Sequence, residues 1–132
     1  MNAGKLEPDV AAAFEALPKN FAEALLPIRA EIFRVATEEG VDPLDESLKW
    51  GQPAYRPRAP RTGTTLRLGQ HAGRPALFVP CSTTLVDGYR RDLPEAFDYE
   101  GDRAILLREV VDADALGIVI ARALTYHRRF FA

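Results

Sequence analysis

Two textures divide this chain. Near both ends apolar residues recur at steps of four and three, whereas the centre alternates every second residue between prolines and glycines, and one segment cannot satisfy both periods. Phe21, Leu25, Ile28, Ile32 and Val35 make one helical face, and Leu116, Ile120, Ala123, His127 and Phe130 make another. Between them, Thr64 to Leu68 sets Leu66 and Leu68 opposite Thr65 and Arg67, and Pro75 to Pro80 sets Leu77 and Val79 opposite Ala76 and Phe78. Helices at the ends and strands in the middle, without strand-helix alternation, predict an α+β fold: a central antiparallel sheet of about five strands packed by N-terminal helices and a C-terminal helix.

Local signals set the expected boundaries. Pro8 suits the first turn of a short helix over residues 9–17, and Pro18 ends it. Asn20 with Glu23 reads as a capping box opening the long helix, Gly40 stops it, and Pro27 inside it predicts a kink or break. Pro43 to Lys49 reads as a helical turn. Gln52 to Arg56 is then the first strand, 57–63 a proline-rich loop, and Gly69 to Arg74 the turn between the next two strands. Thr84 with Asp87 reads as a second capping box for a helix over 85–91, and Gly101-Asp102 joins strands at Phe97–Glu100 and Arg103–Leu107 as a hairpin. Asp112 or Asp114 begins the last helix.

With 132 residues, 47% hydrophobic and 27% charged, the chain has the size and apolar content of a single domain spanning 1–132. A net charge of −2 excludes a disordered, self-repelling polymer. One cysteine, Cys81, excludes an internal disulfide, and two histidines leave no Cys/His zinc framework. The N-terminus lacks signal-peptide order and no eighteen-residue apolar run occurs, so a cytoplasmic location without membrane contact is expected.

Charge is unevenly spread. Residues 1–48 hold four basic and ten acidic side chains, 49–91 hold eight basic ones against Asp87 alone, and 92–132 hold five basic and eight acidic. The basic middle either steers an anion toward itself or pairs with its acidic flanks. Within it, Trp50-Gly51-Gln52-Pro53-Ala54-Tyr55 is the densest special segment, and Trp50 with Tyr55 could wall a pocket. The plainer reading is an aromatic corner seating the first strand on the helices. Arg56, Arg58 and Arg61 follow on the loop, and Arg67 lies on the polar face of the next strand; together they suit a phosphate or carboxylate. No Gly-rich phosphate cradle accompanies them. A pI near 5.7 without an RNA-binding signature argues against nucleic acid.

Cys81 precedes a helix start, which favours a thiolate, and His127 is the one candidate base for it; the competing reading is a small apolar residue and a core histidine. His71 falls in a polar turn expected to be exposed. Ser82, Thr83 and Thr84 read as caps, without the glycine-flanked elbow of a serine hydrolase. The carboxylates Glu15, Glu23, Glu31, Glu38, Glu39, Asp42, Asp45 and Glu46 form an acidic head whose spacing matches no calcium loop.

At Leu25-Leu26-Pro27-Ile28-Arg29, at Glu46-Ser47-Leu48-Lys49-Trp50-Gly51-Gln52-Pro53-Ala54-Tyr55 and at Ala123-Leu124-Thr125-Tyr126-His127, the chain resembles a bacterial domain-of-unknown-function family with the YdhG-like fold, over roughly residues 10–128. The resemblance implies a small α+β domain with N-terminal and C-terminal helices on an antiparallel sheet. It supplies no catalytic set. It also implies, as an alternative, frataxin-like iron or other metal handling on the acidic helices, although Pro27, the arginine-rich loop and the scattered carboxylates depart from that pattern. The expectation is a cytosolic binding or interaction domain, without catalytic residues, cofactor or metal, that takes a small anionic molecule or an acidic protein at Trp50, Tyr55, Arg56, Arg58 and Arg67. A thiol-dependent enzyme using Cys81 is the second alternative.

Overall fold

A computed structural model describes residues 4–128. The order of elements is α1 (Pro8–Glu15), α2 (Lys19–Glu38), β1 (Leu44–Lys49), β2 (Gln52–Pro57), β3 (Leu66–His71), β4 (Arg74–Phe78), α3 (Leu85–Asp92), β5 (Asp98–Glu100), β6 (Ala104–Leu106) and α4 (Ala113–Leu124). The strands form one antiparallel sheet in the order β1-β2-β3-β4-β6-β5. The fold is therefore α+β, with six strands rather than five.

The added strand is β1, in place of the helical turn expected over 43–49. Its cause is the turn that follows. Trp50 (φ 56°) and Gly51 (φ 75°) both take the left-handed conformation, and Lys49 pairs directly with Gln52. A two-residue turn with both φ positive matches the twist of the flanking strands, so it folds 44–49 back along β2. The hairpin between β3 and β4 repeats the device at Ala72 (φ 53°) and Gly73 (φ 74°), which carries β3 on to His71 and narrows the turn expected over 69–74.

Helix boundaries also differ in detail. Pro18 rather than Asn20 occupies the N-cap of α2, without a side-chain cap. The helix runs through Pro27 unbroken, because that residue faces solvent, where water can satisfy the carbonyl that the proline leaves free. The expected cap from the Thr84 side chain is absent; Thr83 Oγ instead donates to the Pro80 carbonyl at 2.8 Å. Asp112 caps α4 by accepting from the Ala115 N–H at 3.0 Å. That helix ends at Leu124, so His127 lies beyond it, and Phe130 falls outside the described residues.

One face of the sheet makes the core. Tyr55, Leu66, Leu68, Leu77, Val79 and Ile105 pack against Val10 and Phe14 of α1, Leu25, Ile28 and Ile32 of α2, and Val119, Ile120 and Ala123 of α4. Burying this side-chain area is the main stabilising term. Tyr89 of α3 donates its hydroxyl to the Val119 carbonyl at 2.7 Å and so ties α3 to α4. The other face carries a small separate buried cluster, Ala76, Phe78 and Ala104, to which no helix contributes. Among the described residues no helix is long and apolar enough to cross a membrane.

Candidate functional site

Strand alternation decides which side chains meet on the free face. Because Lys49 pairs with Gln52, Ala54 with Arg67, and Arg67 with Phe78, these residues share one side of the sheet. Tyr55, one residue on from Ala54, belongs to the other side.

The free face holds a hollow of about 760 Å³ lined by Lys49, Trp50, Gln52, Thr65, Arg67, Gln70, His71, Phe78, Pro80, Cys81, Ser82 and Arg103. At its centre the Arg67 guanidinium lies over the Phe78 ring, 5.3 Å from the centroid, and donates from Nη1 to Gln52 Oε1 at 2.8 Å. The ring fixes the guanidinium plane and the amide fixes its rotation. Gln52 can lie across the sheet because position 69 is glycine: a Cβ there would sit 2.5 Å from Gln52 Nε2. Burial, and after it the nearby charge of Arg103, pushes the Arg67 guanidinium below its usual pKa, though a guanidinium stays protonated in any case.

No lining residue carries a carboxylate. Among the described residues neither Lys49, Arg67 nor Arg103 has a carboxylate within ion-pair distance, whereas Arg58 pairs with Asp45 at 2.9 Å and Arg74 with Asp98 at 2.8 Å. His71 contacts Glu100 across the rim and meets the Phe78 ring edge-on at 6.1 Å. Such a face can attract and hold an anion, with Trp50 as an aromatic wall.

The expected site residues divide. Trp50 and Arg67 line the hollow. Trp50 is 91% exposed at the hairpin tip, so it is no corner seating the strand on the helices. Tyr55 is fully buried on the helix side, in edge-to-face contact with Phe33 at 5.8 Å. Arg56 and Arg58 border a separate, smaller groove of about 440 Å³ with Arg61 and His127. Cys81 is exposed at the rim of the main hollow and His127 lines the other groove, so the two do not share a cavity. Position 71 is part of a strand, half-exposed, rather than of a turn.

Lys49, Gln52, Phe78 and Arg103 went unrecognised as site residues. A signal for two of them was present: alternation in the 52–56 strand puts Gln52 opposite Tyr55, and alternation over 75–80 puts Phe78 opposite Leu77 and Val79. Lys49 needed β1, and Arg103 needed the pairing of β6 with β4.

Half of the acidic head is ion-paired among the described residues: Glu31 and Glu38 both bind Arg34, at 2.6 and 2.8 Å, Glu46 binds Arg29 and Asp45 binds Arg58. Among the described residues no group of three or more His, Cys, Asp or Glu side chains is placed to hold a metal ion.

The fold and this face define an α+β domain whose antiparallel sheet is covered on one side and cationic on the other. Comparison with protein-family profiles, with curated proteins and with solved structures finds no match for this chain.

Proposed function

We propose that this chain is a small-anion binding domain of the cytosol, akin to the YdhG-like family, and that it works without catalysing a reaction. Its site is the hollow framed by Trp50, Lys49, Arg67 and Arg103 rather than the loop arginines. The observation that carries this reading is three basic side chains lining one hollow of the sheet without a carboxylate beside them. Elsewhere on the chain Arg34, Arg58 and Arg74 are paired with neighbouring acids. The gap beside Arg67, which already gives one N–H to Gln52, suits a phosphate or carboxylate accepting its remaining donors.

Titration with inorganic pyrophosphate at low salt, followed by backbone amide NMR, tests it. Shifts are expected at 49–52, 65–71, 78–82 and 103, weakening as salt rises. In the Arg67→Met, Arg103→Met double variant they require at least about tenfold more ligand, since each charge-assisted hydrogen bond contributes about 1.5–3 kcal/mol. An unperturbed spectrum at millimolar pyrophosphate overturns the proposal, as do shifts confined to Arg56–Arg61 and His127.

A further inference from the structure

The hollow is longer than a bare anion needs. Gln52, the first residue after the turn, precedes Ala54, the cross-strand partner of Arg67, by two residues of β2, about 7 Å at about 3.3 Å per residue, and Trp50 lies beyond it in the turn. The Trp50 and Arg67 side chains both line the hollow, with Gln52 between them along the strand. A ligand using both ends must be elongated, with an anionic group at Arg67 and Arg103 and a flat apolar group at Trp50. The volume of about 760 Å³ falls within the range of small-molecule sites, about 300–1,000 Å³.

Trp50 itself asks for an explanation. It is the sole tryptophan in the chain, it is 91% exposed, and it occupies a left-handed position (φ 56°) where Asn, Asp or Gly is favoured. A bulky residue held there costs local backbone energy and gives almost no burial in return. An indole in solvent at the mouth of a cationic hollow offers a face for a planar ring.

We infer that the ligand of this hollow is a mononucleotide, its base stacked on Trp50 and its phosphate held by Arg67 and Arg103. This rests on the anion-site reading above and adds the class of ligand. Lys49, next to Trp50 in the chain, lies between these ends on the same face and meets the ribose phosphate edge. Gln52, held by Arg67, keeps the floor between them polar. No bond is made or broken; the domain senses or carries the nucleotide.

Calorimetric titration with pyrophosphate, ribose 5-phosphate and AMP separates the two proposals. AMP is expected to bind at least about tenfold more tightly than ribose 5-phosphate, which corresponds to one stacked base, and to quench the tryptophan fluorescence. Trp50→Asn, which suits the left-handed turn, brings AMP down to ribose 5-phosphate, and Trp50→Phe restores part of the difference. Pyrophosphate affinity falls by less than AMP affinity in both variants, because they leave the Arg67 and Arg103 end intact. Equal binding of AMP and ribose 5-phosphate to the unmodified chain overturns the nucleotide inference and leaves the anion site standing. Retention of the full AMP gain in Trp50→Asn overturns it too, as does tighter binding of a short single-stranded oligonucleotide than of AMP. Failure of all three ligands, pyrophosphate included, removes both proposals.

Discussion

Arg29 of α2 and Glu46 of β1 meet fork to fork beneath the first hairpin, Nε to Oε2 at 2.6 Å and Nη2 to Oε1 at 2.9 Å, with side chains only 6% and 12% exposed. The Arg29 guanidinium also lies over Phe33, 5.1 Å from the ring centroid. The hydrogen bonds it donates to Glu46 raise its pKa above the ordinary arginine value, against the desolvation that lowers it. This pair clamps the edge strand to the long helix and explains why an acid and a base sit on otherwise apolar faces. Removing one partner strands a buried charge. Glu46→Ala is expected to lower the unfolding free energy by about 3 kcal/mol in urea titration. Arg29→Met combined with Glu46→Leu should recover most of that loss; a double variant no better than Glu46→Ala contradicts the account.

Tyr55 lies opposite Glu46 in the strand register, and its buried hydroxyl oxygen has no hydrogen-bond partner among the described residues. Burial first, and the Glu46 carboxylate next, pushes its pKa far above 10.0, more than Arg29 draws it back. A folded-state pKa above the unfolded one means that the associated stability is complete below about pH 10 and is lost as pH rises beyond it. Tyr55→Phe is therefore expected to be within about 1 kcal/mol of the parent at pH 7. Between about pH 10 and 11 the parent should lose about 1 kcal/mol more than the variant, the difference growing toward about 1.4 kcal/mol per pH unit above that. Parallel stability curves for the two would exclude this linkage.

The turn at Trp50 and Gly51 predicts a gain in stability where base stacking is lost. Trp50→Asn places a residue that tolerates φ 56° at a position with few packing contacts to forfeit. Its unfolding free energy should rise by about 1 kcal/mol with an unchanged denaturant slope. A drop would mean that the indole packs on the sheet in solution.

Gly63 is set by a close approach rather than by its φ. The loop after β2 closes on the end of α4: Thr64 N–H donates to the Ala123 carbonyl at 2.9 Å, and His127 N–H to the Thr62 carbonyl at 3.1 Å. A Cβ at position 63 would lie 2.0 Å from the Leu124 carbonyl oxygen, and both neighbours are backbone. Gly63→Ala should cost about 2 kcal/mol. Hydrogen exchange should then speed up selectively at Thr64 and His127; exchange unchanged there would show that the loop is not held by α4.

The elements that the sequence specified were those whose pattern is local and repeated. The stripe from Phe21 to Val35 fixed α2 because a 3.6-residue period leaves one face to bury, and the alternation around Leu66 and Leu77 fixed β3 and β4 with the correct residues inward. Gly101-Asp102 announced the last hairpin, although its turn also takes in Arg103 and the strand starts at Ala104 rather than at Arg103. Where one residue's conformation decided the outcome, local pattern gave no warning: Trp50 in the left-handed region turned 43–49 from a helical turn into β1.

The site shows the same division. Arg67 stood out in the sequence because a cation between two inward leucines must face outward, and Trp50 because it is unique. Grouping Tyr55 and Arg58 with them relied on nearness along the chain, which alternation and the Asp45 pairing override. Sequence by itself determined that helices would flank an antiparallel sheet and that its middle would be basic, since both follow from periodicity and composition. Only the tertiary structure decided which arginines are neutralised and which are left facing the hollow, because that depends on strand register and on neighbours distant in sequence, such as Phe78 across the strand pair and Arg103 in the turn before β6.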